Sequence, residues 1–486
     1  MAFVKRHLGL SLAIAGAVTV SAVVSVTPGP DGGSAGAAGP PCGPLGELVE
    51  YDLNDRCDFG TGGDPLDVDD GAVVGALRKA SVFATTVRCR GRGRVAVVAA
   101  PDQLLIAGSN PDRVTAGLVL VRQRLDSAVG RVLPVNALAT RVLLRSGTLT
   151  RAFMRDVVPT LQGRGFSVDL NYLEPAQPNN LFRPDDNPVE TVAAAPGEGG
   201  QVSVLVLDSP AQADLYPKEP DVVLGPYGPA ATYDVDGNGL VDEDHGHGVF
   251  VASLVKRLAP EASVALTGVN GRRIRGLARW SPMLFSDADL IGVMGDAFGL
   301  SPGGTAVRRG FHVVNMSLGG AGCVGIAARL PLGRFMRDLS EIATTTVDIT
   351  PRYVAAAGNS GGAVHHYPAA WRSKATIENA ADLVDQALGG GAPTPEGNEI
   401  RQIQAVLQVR IIAVGSWTRG VRDDFSNCGN WVNAIADGAD AVSRYPSASS
   451  WASWSGTSFA TARVSAVVAG GANPGDVATG AAIGAC

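Results

Sequence analysis

Five short, almost uninterrupted runs of apolar residues recur through the second half of the chain, and they constrain its fold more than any other feature. Runs of this kind suit strands that are buried on both faces of a parallel sheet. The runs are residues 202–207, 264–269, 311–316, 353–357 and 408–414. Helical segments fall between them, including residues 248–258 and 287–298. The alternation predicts a doubly wound α/β domain over residues 201–486.

The first half of the chain predicts a second, smaller domain. Over residues 45–172, short strand-like runs at 94–99 and 103–107 alternate with helical stretches such as 112–125. This pattern favours a small α/β domain. The segment contains no histidine and no candidate catalytic cluster.

Three stretches rich in Gly, Pro or polar residues interrupt these domains. Residues 23–44 and 173–200 have the composition of linkers. Residues 375–404, with a Gly-Gly-Gly sequence near the middle, are too long for an ordinary connection. They predict an insertion on the larger α/β scaffold.

The amino terminus predicts export. The basic residues 5–7 precede an apolar run at 8–24, which is followed by small residues and a Pro/Gly turn, the arrangement of a secretory signal peptide. We expect cleavage after Ala22, which would remove residues 1–22. An uncleaved membrane anchor is the alternative, because the run is about as long as the shortest spans. Both interpretations leave the bulk of the protein outside the cytoplasm.

Charge and cysteine content narrow the classes of function. The 486 residues carry a formal net charge of -6, so the chain offers no basic footprint and nucleic acid is not an expected partner. An even number of cysteines fits an oxidising compartment, where six can form three disulfides; free buried thiols are the alternative. They are Cys42, Cys57, Cys89, Cys323, Cys428 and Cys486. The absence of C-x-x-C spacing argues against a zinc site or a redox motif.

The six histidines make the search for a general base short. Four lie in the signal segment, at the start of an apolar run, or side by side before a Tyr-Pro pair: His7, His312, His365 and His366. The other two are His245 and His247. Because His247 precedes Gly248 and a helical run, it lies at a helix amino terminus, and it is the better candidate for the base.

Two further segments supply an acid and a nucleophile. Asp208 ends an apolar run, where an ionised side chain is costly to bury unless it is paired. Ser458 precedes a helical stretch, where unpaired amide hydrogens and the helix dipole favour a developing oxyanion. Alone, Asp208 is typical of a turn and Ser458 of a helix cap. Together with His247 they follow the order Asp, His, Ser, one of three known for serine-hydrolase triads.

One competing motif lies at residues 358–362. Gly-Asn-Ser-Gly-Gly matches G-x-S-x-G, the nucleophile elbow of α/β-hydrolases. That class needs a later acid and then a histidine, but no histidine follows His366. Ser360 is therefore not the expected nucleophile.

The chain resembles the subtilases, the subtilisin-like serine proteases. The motifs that carry the resemblance are Val-Leu-Val-Leu-Asp-Ser ending at Ser209, His-Gly-His-Gly around His247 and Gly-Thr-Ser-Phe-Ala around Ser458. Residues 314–320 resemble the strand that lines the substrate cleft of the family. Residues 355–360 resemble the segment whose Asn side chain donates to the oxyanion.

The resemblance implies a role for each residue. Asp208 orients His247, His247 acts as the base, and Ser458 attacks a peptide carbonyl to form an acyl-enzyme. Asn359 and the Ser458 amide form the oxyanion hole. The implied substrate-binding residues are Ser317, Leu318, Gly319, Ala356, Ala357 and Gly358. The implied activity is that of a secreted serine endopeptidase whose partner is a peptide or protein substrate.

The family also often carries an inhibitory propeptide. Residues 45–172 have the position and the α/β character for that role, so we expect a zymogen whose own amino-terminal domain is an intramolecular inhibitor. Cleavage is expected within residues 174–200.

Three departures from the pattern of the family involve four residues. Pro210 replaces a usual Gly, Val249 and Phe250 replace Thr-His, and Ala462 replaces a usual Pro. None of these changes removes a proton-transfer group, but they bear on the geometry of the loops. A catalytically inactive, subtilase-like binding or scaffold protein is therefore the alternative function.

An acidic segment between the first two motifs predicts a calcium site. Its oxygen-bearing side chains at positions one, three, five and nine, with Gly at six, reproduce most of an EF-hand-type loop. The predicted structural calcium ligands are Asp234, Asp236, Asn238, Leu240 and Asp242. His245 stands at position twelve, where such loops have a bidentate Glu, and a solvated acidic turn is the alternative.

Removal of calcium tests this site. An ion that binds only the folded state stabilises it, so we expect a chelator to lower the melting temperature of the protein. The control is Asp236→Asn, which should melt lower at the start and respond less to the chelator. A melting temperature that the chelator leaves unchanged would contradict the calcium site.

Overall fold

The computed structural model describes most of the second half of the chain and part of the first. The described residues are 83–88, 94–150, 153, 157–158, 161, 167–175, 183–184, 202–211, 222–224, 243–269, 284–321, 330–372, 381–382, 385, 390–445 and 451–471. The predicted signal peptide, the linker 23–44, the predicted calcium ligands and every cysteine except Cys428 lie outside them. All described residues belong to one compact unit, Cys42–Cys486.

Strands and helices alternate through these residues. In chain order the strands are β1 (Phe83–Arg88), β2 (Arg94–Ala107), β3 (Val129–Asn136), β4 (Ala139–Leu144), β5 (Ser167–Pro175), β6 (Arg183–Pro184), β7 (Ser203–Asp208), β8 (Val222–Leu224), β9 (Ser263–Gly268), β10 (Leu284–Ser286), β11 (Val313–Met316), β12 (Gly320–Ala321), β13 (Arg352–Ala356), β14 (His366–Tyr367), β15 (Ile411–Thr418), β16 (Val421–Arg422), β17 (Ala434–Ala436), β18 (Ala441–Arg444) and β19 (Trp451–Trp454). The helices are α1 (Pro111–Leu125), α2 (Glu243–Leu258), α3 (Asp287–Phe298), α4 (Leu330–Val347), α5 (Pro395–Arg410) and α6 (Thr457–Ala469).

An eight-stranded sheet organises the second half of the chain. Its strands lie in the order β16, β15, β13, β11, β7, β9 and β8, and β17 pairs with β15. All neighbouring pairs are parallel except β15 with β16. The predicted doubly wound α/β domain is thus confirmed.

Two hydrophobic cores cover the two faces of this sheet, which explains the continuous apolar runs. Alternate residues of β7 point to opposite faces. Val204 and Val206 join the core that contains α2 and α6, whereas Leu205 and Leu207 join the core that contains α3 and α4. All four side chains are fully buried. A strand between two helical layers must be apolar at every position.

The segment that we predicted to be an insertion contributes to the core. Thr394 caps α5, since its Oγ1 accepts from the Gly397 amide at 3.0 Å, and Pro395 follows it. Ile400, Ile403 and Leu407 of α5 pack in the core beside α4. Because α5 extends to Arg410, the strand predicted at 408–414 begins at Ile411 instead.

A six-stranded sheet organises the first half of the described residues. Its order is β10, β5, β2, β4 and β3, with β1 beside β2, and its pairs are antiparallel. The runs predicted at 94–99 and 103–107 form the single strand β2, with a register shift between Ala99 and Leu104. The edge strand β10 comes from the second half of the chain. The sheet therefore contains strands from both sides of the predicted linker.

Side chains of the first sheet also bond to α3. Asn171 Oδ1 accepts from the Ala288 amide at 3.0 Å, and Asn136 Nδ2 donates to Ile291 O at 3.2 Å. The first of these bonds satisfies an amide in the first turn of α3, where amides have no acceptor inside the helix. No helix among the described residues is long and apolar enough to cross a membrane.

Asp169 of β5 is a buried carboxyl group at this junction. Its Oδ1 accepts from Tyr172 Oη at 2.7 Å and from the Leu170 amide at 2.8 Å. Burial, reinforced by the nearby carboxylate of Asp287, raises the pKa of Asp169 to about 7, although hydrogen bonds from Tyr172, Leu170 and the Leu330 amide oppose the shift. A neutral Asp169 is thus the stable form in this environment.

This shift predicts a pH dependence of stability. In the unfolded chain an Asp titrates near pH 4, so folding takes up a proton between pH 4 and 7. The stabilisation is complete below about pH 4 and is lost as the pH rises to 7, by up to about 4 kcal/mol. Replacing Asp169 by Asn, which stays neutral, should flatten this dependence in thermal unfolding. The same dependence of thermal stability on pH in both proteins would contradict the prediction.

Candidate active site

Asp208 and His247 form a buried hydrogen-bonded pair at the carboxyl end of β7. Asp208 Oδ1 accepts from His247 Nδ1 at 2.7 Å and from the Ser209 amide at 2.7 Å. A carboxylate only accepts, so this bond assigns the proton of the neutral ring to Nδ1. In this tautomer Nε2 is the acceptor nitrogen of the ring.

A close approach of α2 to the end of β7 holds this pair. The Gly248 amide donates to Ser209 Oγ at 2.9 Å. A Cβ atom at Gly248 would lie 2.2 Å from Ser209 O, so a larger residue would push the helix away. The helix begins at Glu243, before the predicted start at 248, and His247 therefore lies inside it.

Aromatic rings surround His247. Its ring centroid lies 5.2 Å from that of Trp454, edge-on, and 5.5 Å from that of Phe459. Phe250 packs on both rings, at 5.7 Å from Trp454 and 4.6 Å from Phe459. Phe250, which replaces the usual His of the family, thus extends an apolar wall behind the imidazole. This wall restricts the access of water on that side.

Ser458 lies in the first turn of α6 and is buried. Its Oγ donates to Ser317 O at 3.1 Å, and Ser317 Oγ donates to Ser458 O at 2.9 Å. This reciprocal pair ties the start of α6 to the end of β11. Proton transfer to His247 requires the Ser458 hydroxyl to turn away from Ser317, and such bonds often realign when substrate binds.

Thr457 orients the side chain of Asn359. Asn359 Oδ1 accepts from the Thr457 amide at 2.8 Å and from Thr457 Oγ1 at 2.6 Å. Since the oxygen end of the amide faces α6, Nδ2 is the donor end that faces the other way. Thr457 Oγ1 also accepts from the Gly358 amide at 3.2 Å. Thr457 therefore positions the Asn359 side chain, a role that the sequence did not reveal.

The predicted substrate-binding residues lie together at one edge of the sheet. Ser317, Leu318 and Gly319 follow β11, and Ala356, Ala357 and Gly358 end or follow β13. The two strands are parallel neighbours, with Met316 opposite Ala355. Ligands of open α/β sheets bind outside the carboxyl ends of the strands, and Ser458 lies at this edge.

The remaining departures are accommodated by packing. A Cβ atom at Gly268 would lie 2.3 Å from Pro210 Cβ, so Pro210 fits because residue 268 has no side chain. Val249 and Ala462 are buried in the core shared by α2 and α6. Nothing in the sequence pairs Gly268 with Pro210, because the two residues are distant along the chain.

The competing serine, Ser360, takes no part in these hydrogen bonds, and the predicted calcium ligands lie outside the described residues. Ser360 is buried, and its amide donates to Asn427 Oδ1 at 2.8 Å. Within the described ranges no group of three or more His, Cys, Asp or Glu side chains has the geometry for a metal ion.

The structure thus combines a doubly wound α/β domain, a buried Asp208-His247 pair and a buried serine in the first turn of α6. The family model described as "Subtilase family" matches residues 199–475, more than half of the chain. The chain therefore belongs to the subtilases, a family of serine proteases, which implies peptide or protein substrates.

Solved structures of proteases are similar to part of the chain. A mutant of the protease domain of PatA is 22% identical, with 56% of this chain and 79% of that chain covered and a TM-score of 0.35. A cold adapted subtilisin-like serine proteinase is 20% identical, with 62% and 85% covered and a TM-score of 0.35. The prenylagaramide maturation protease PagA is 22% identical, with 56% and 75% covered and a TM-score of 0.36. A search of the curated proteins gave no match.

The contact between residues 268 and 210 gives a prediction for the loop that holds Asp208. Gly268→Ala should lower the free energy of unfolding by about 1 to 3 kcal/mol, because the new methyl group overlaps Pro210. Pro210→Gly in the same chain should restore most of this loss. Urea unfolding measures both effects, and a double variant that is no more stable than Gly268→Ala would exclude the contact as the cause.

Proposed function

We propose that the protein is a secreted serine endopeptidase that cleaves peptide bonds through Asp208, His247 and Ser458. The observation that carries the proposal is the 2.7 Å bond between His247 Nδ1 and Asp208 Oδ1 in a buried site beside the start of α6. In the neutral imidazole this bond places the proton on Nδ1 and makes Nε2 the acceptor, which is the form that a general base needs.

The proposed reaction proceeds in two stages. His247 Nε2 takes the proton of Ser458 Oγ as the oxygen attacks the peptide carbonyl, and the resulting imidazolium gives this proton to the leaving amine. The acyl-enzyme is then hydrolysed by water, which His247 activates in the same way. Asp208 stabilises the imidazolium in both stages.

The developing oxyanion has two proposed donors. Asn359 Nδ2 is one, since Thr457 holds the other end of the amide. The Ser458 amide is the second, because it belongs to the first turn of α6, where amides have no acceptor inside the helix. A fixed donor of this kind is worth about 10² to 10³ in turnover.

The packing of the residues that depart from the family pattern favours an active protease over an inactive scaffold protein. Pro210 fits against Gly268, and Phe250 fits against the rings beside His247. Both changes therefore occur in surroundings that leave the Asp208-His247 bond intact. A binding or scaffold function would require these residues to distort the loops of the site.

We further propose a zymogen in which the amino-terminal domain covers the cleft. Strands β2 and β5 lie against β12, which directly follows Gly319. Val364, a few residues after Asn359, is buried in the core of the first sheet. Beyond β5, the pair Arg183–Pro184 is hydrogen-bonded to β19, just before the Ser458 motif. A chain that passes so close to the nucleophile supports cleavage within residues 174–200, and the signal segment supports export.

Active-site labelling tests the proposed function. We expect a fluorophosphonate to label the mature wild-type protein and not Ser458→Ala, and expect Asn359→Ala to react more slowly. Ser360→Ala is the matched control, because it removes a buried hydroxyl that has no proposed role, and it should label like wild type. A mature wild-type protein that takes no label would favour the scaffold function instead.

A further inference from the structure

The indole ring of Trp454 contacts the imidazole of His247 and is itself enclosed by protein. The two ring centroids lie 5.2 Å apart, and the ring planes are nearly perpendicular, at 88°. Such an edge-to-face arrangement is a preferred geometry for a pair of aromatic rings. Phe459 and Tyr445 also pack against the indole, with centroid distances of 5.4 Å and 6.1 Å. Because Trp454 is 1% exposed, the indole is held by its neighbours and not by solvent.

The hairpin that carries Trp454 lies on the first turn of α2, the helix that carries His247. The hairpin consists of β18 and β19, and Tyr445 directly follows β18. A Cβ atom at Gly246 would lie 1.8 Å from Cε2 of Tyr445, so the phenol ring lies directly on the backbone of the residue before His247. The hairpin therefore contacts both the base and the backbone that carries it.

Two hydrogen bonds attach β18 to α2 farther along the helix. Ser443 Oγ donates to Phe250 O at 2.9 Å. Near the end of α2, Arg257 Nη1 donates to Val442 O at 2.8 Å. A shift of the hairpin along the helix would break both bonds. The strand that carries the indole is therefore fixed relative to the helix that carries the imidazole.

The hydrogen bond to Asp208 does not by itself fix the plane of the His247 ring. The torsion that turns an imidazole about its Cβ–Cγ bond has broad minima, so the ring can swing while Nδ1 stays near its acceptor. A fixed indole in contact with the ring and perpendicular to it restricts this motion, because a swing of the imidazole brings its atoms into the atoms of Trp454.

We infer that Trp454 is a positioning residue, whose indole holds the imidazole of His247 in the orientation that keeps Nδ1 bonded to Asp208. The inference rests on the proposed function, since the group that Trp454 positions is the proposed general base. With the ring held, Nε2 keeps one direction between successive proton transfers. Without the indole, the imidazole spends only part of its time in that orientation.

Hydrolysis of one peptide by variants at residue 454 tests this role. Trp454→Met keeps an apolar side chain in the space but removes the ring. We expect kcat and kcat/KM to fall by the same factor, about 10-fold to 100-fold, because the substrate still binds while the base is less often aligned. Trp454→Phe keeps a ring and should recover most of this loss. Trp454→Leu gives a second ringless variant should Trp454→Met not fold.

Trp371→Met is the matched control for loss of a buried indole. Trp371 is also 1% exposed, but it lies in the other core of the sheet, which contains α3 and α4. The variant should melt at a lower temperature and keep the kcat of wild type at a temperature where it is folded. An unchanged kcat in folded Trp454→Met, or an equal loss in Trp371→Met, would overturn the inference.

A proton resonance tests the orientation of the ring without catalysis. The proton between His247 Nδ1 and Asp208 resonates far downfield when the bond is short and shielded from water, and His247→Ala identifies it by its loss. In the full chain with Ser458→Ala, this resonance should be sharp. Adding Trp454→Met should broaden it by exchange with water, and adding Trp454→Phe should not.

This measurement distinguishes failure of the inference from failure of the proposed function. Broadening by Trp454→Met alone would support the positioning role even if the wild type hydrolyses no peptide, a result that would refute catalysis only. A resonance that is absent from the Ser458→Ala protein, or equally sharp in all three proteins, would overturn the inference.

Discussion

The attachment of α6 to the carboxyl ends of β11 and β13 is the constraint on which the site depends. Ser317 and Ser458 exchange side-chain to backbone bonds in both directions, and Thr457 bonds to Asn359 through its amide and its hydroxyl. Deeper in the interface, Asn315 Nδ2 donates to Ser465 Oγ at 2.9 Å. These groups are buried, so a shift of the helix would leave several polar atoms unsatisfied at a cost of about 1 to 3 kcal/mol each. Ser458, the proposed nucleophile, is therefore positioned by a network and not by its own helix alone.

The electrostatics of Asp208 complement this network. Its Oδ1 receives two hydrogen bonds, whereas its buried Oδ2 has no hydrogen-bond partner among the described residues. A buried carboxylate with one unpaired oxygen is costly to keep ionised, and a nearby positive charge offsets that cost. That charge arises only when His247 takes up a proton. The aromatic wall of Phe250, Trp454 and Phe459 lowers the local polarity and strengthens the attraction.

The sequence predicted the features that depend on local patterns. The apolar runs predicted the central strands because residues such as Val204 and Leu205 are buried on opposite faces. Motif order selected Asp208, His247 and Ser458 as candidates, although His247 lies inside α2 and not at its start. The contacts of Pro210 with Gly268 and of Trp454 with His247 were not predictable, since residues distant along the chain meet only after folding. The same reason explains why β10 was not assigned to the first sheet.

The shared sheet changes how the two halves of the chain depend on each other. Strand β10 pairs with β5 over Leu284 to Ser286 and leads directly into α3, where Ser286 and Asp289 form a capping box. The amino-terminal half thus supplies backbone hydrogen-bond partners to β10, the strand that precedes α3. Asn171 also accepts a hydrogen bond from the first turn of that helix. Since α3 packs in the same core as β7 and β11, ordering of the first sheet favours ordering of the sheet that carries the site. The larger domain is therefore packed against and hydrogen-bonded to a segment that contributes no group to the proposed chemistry.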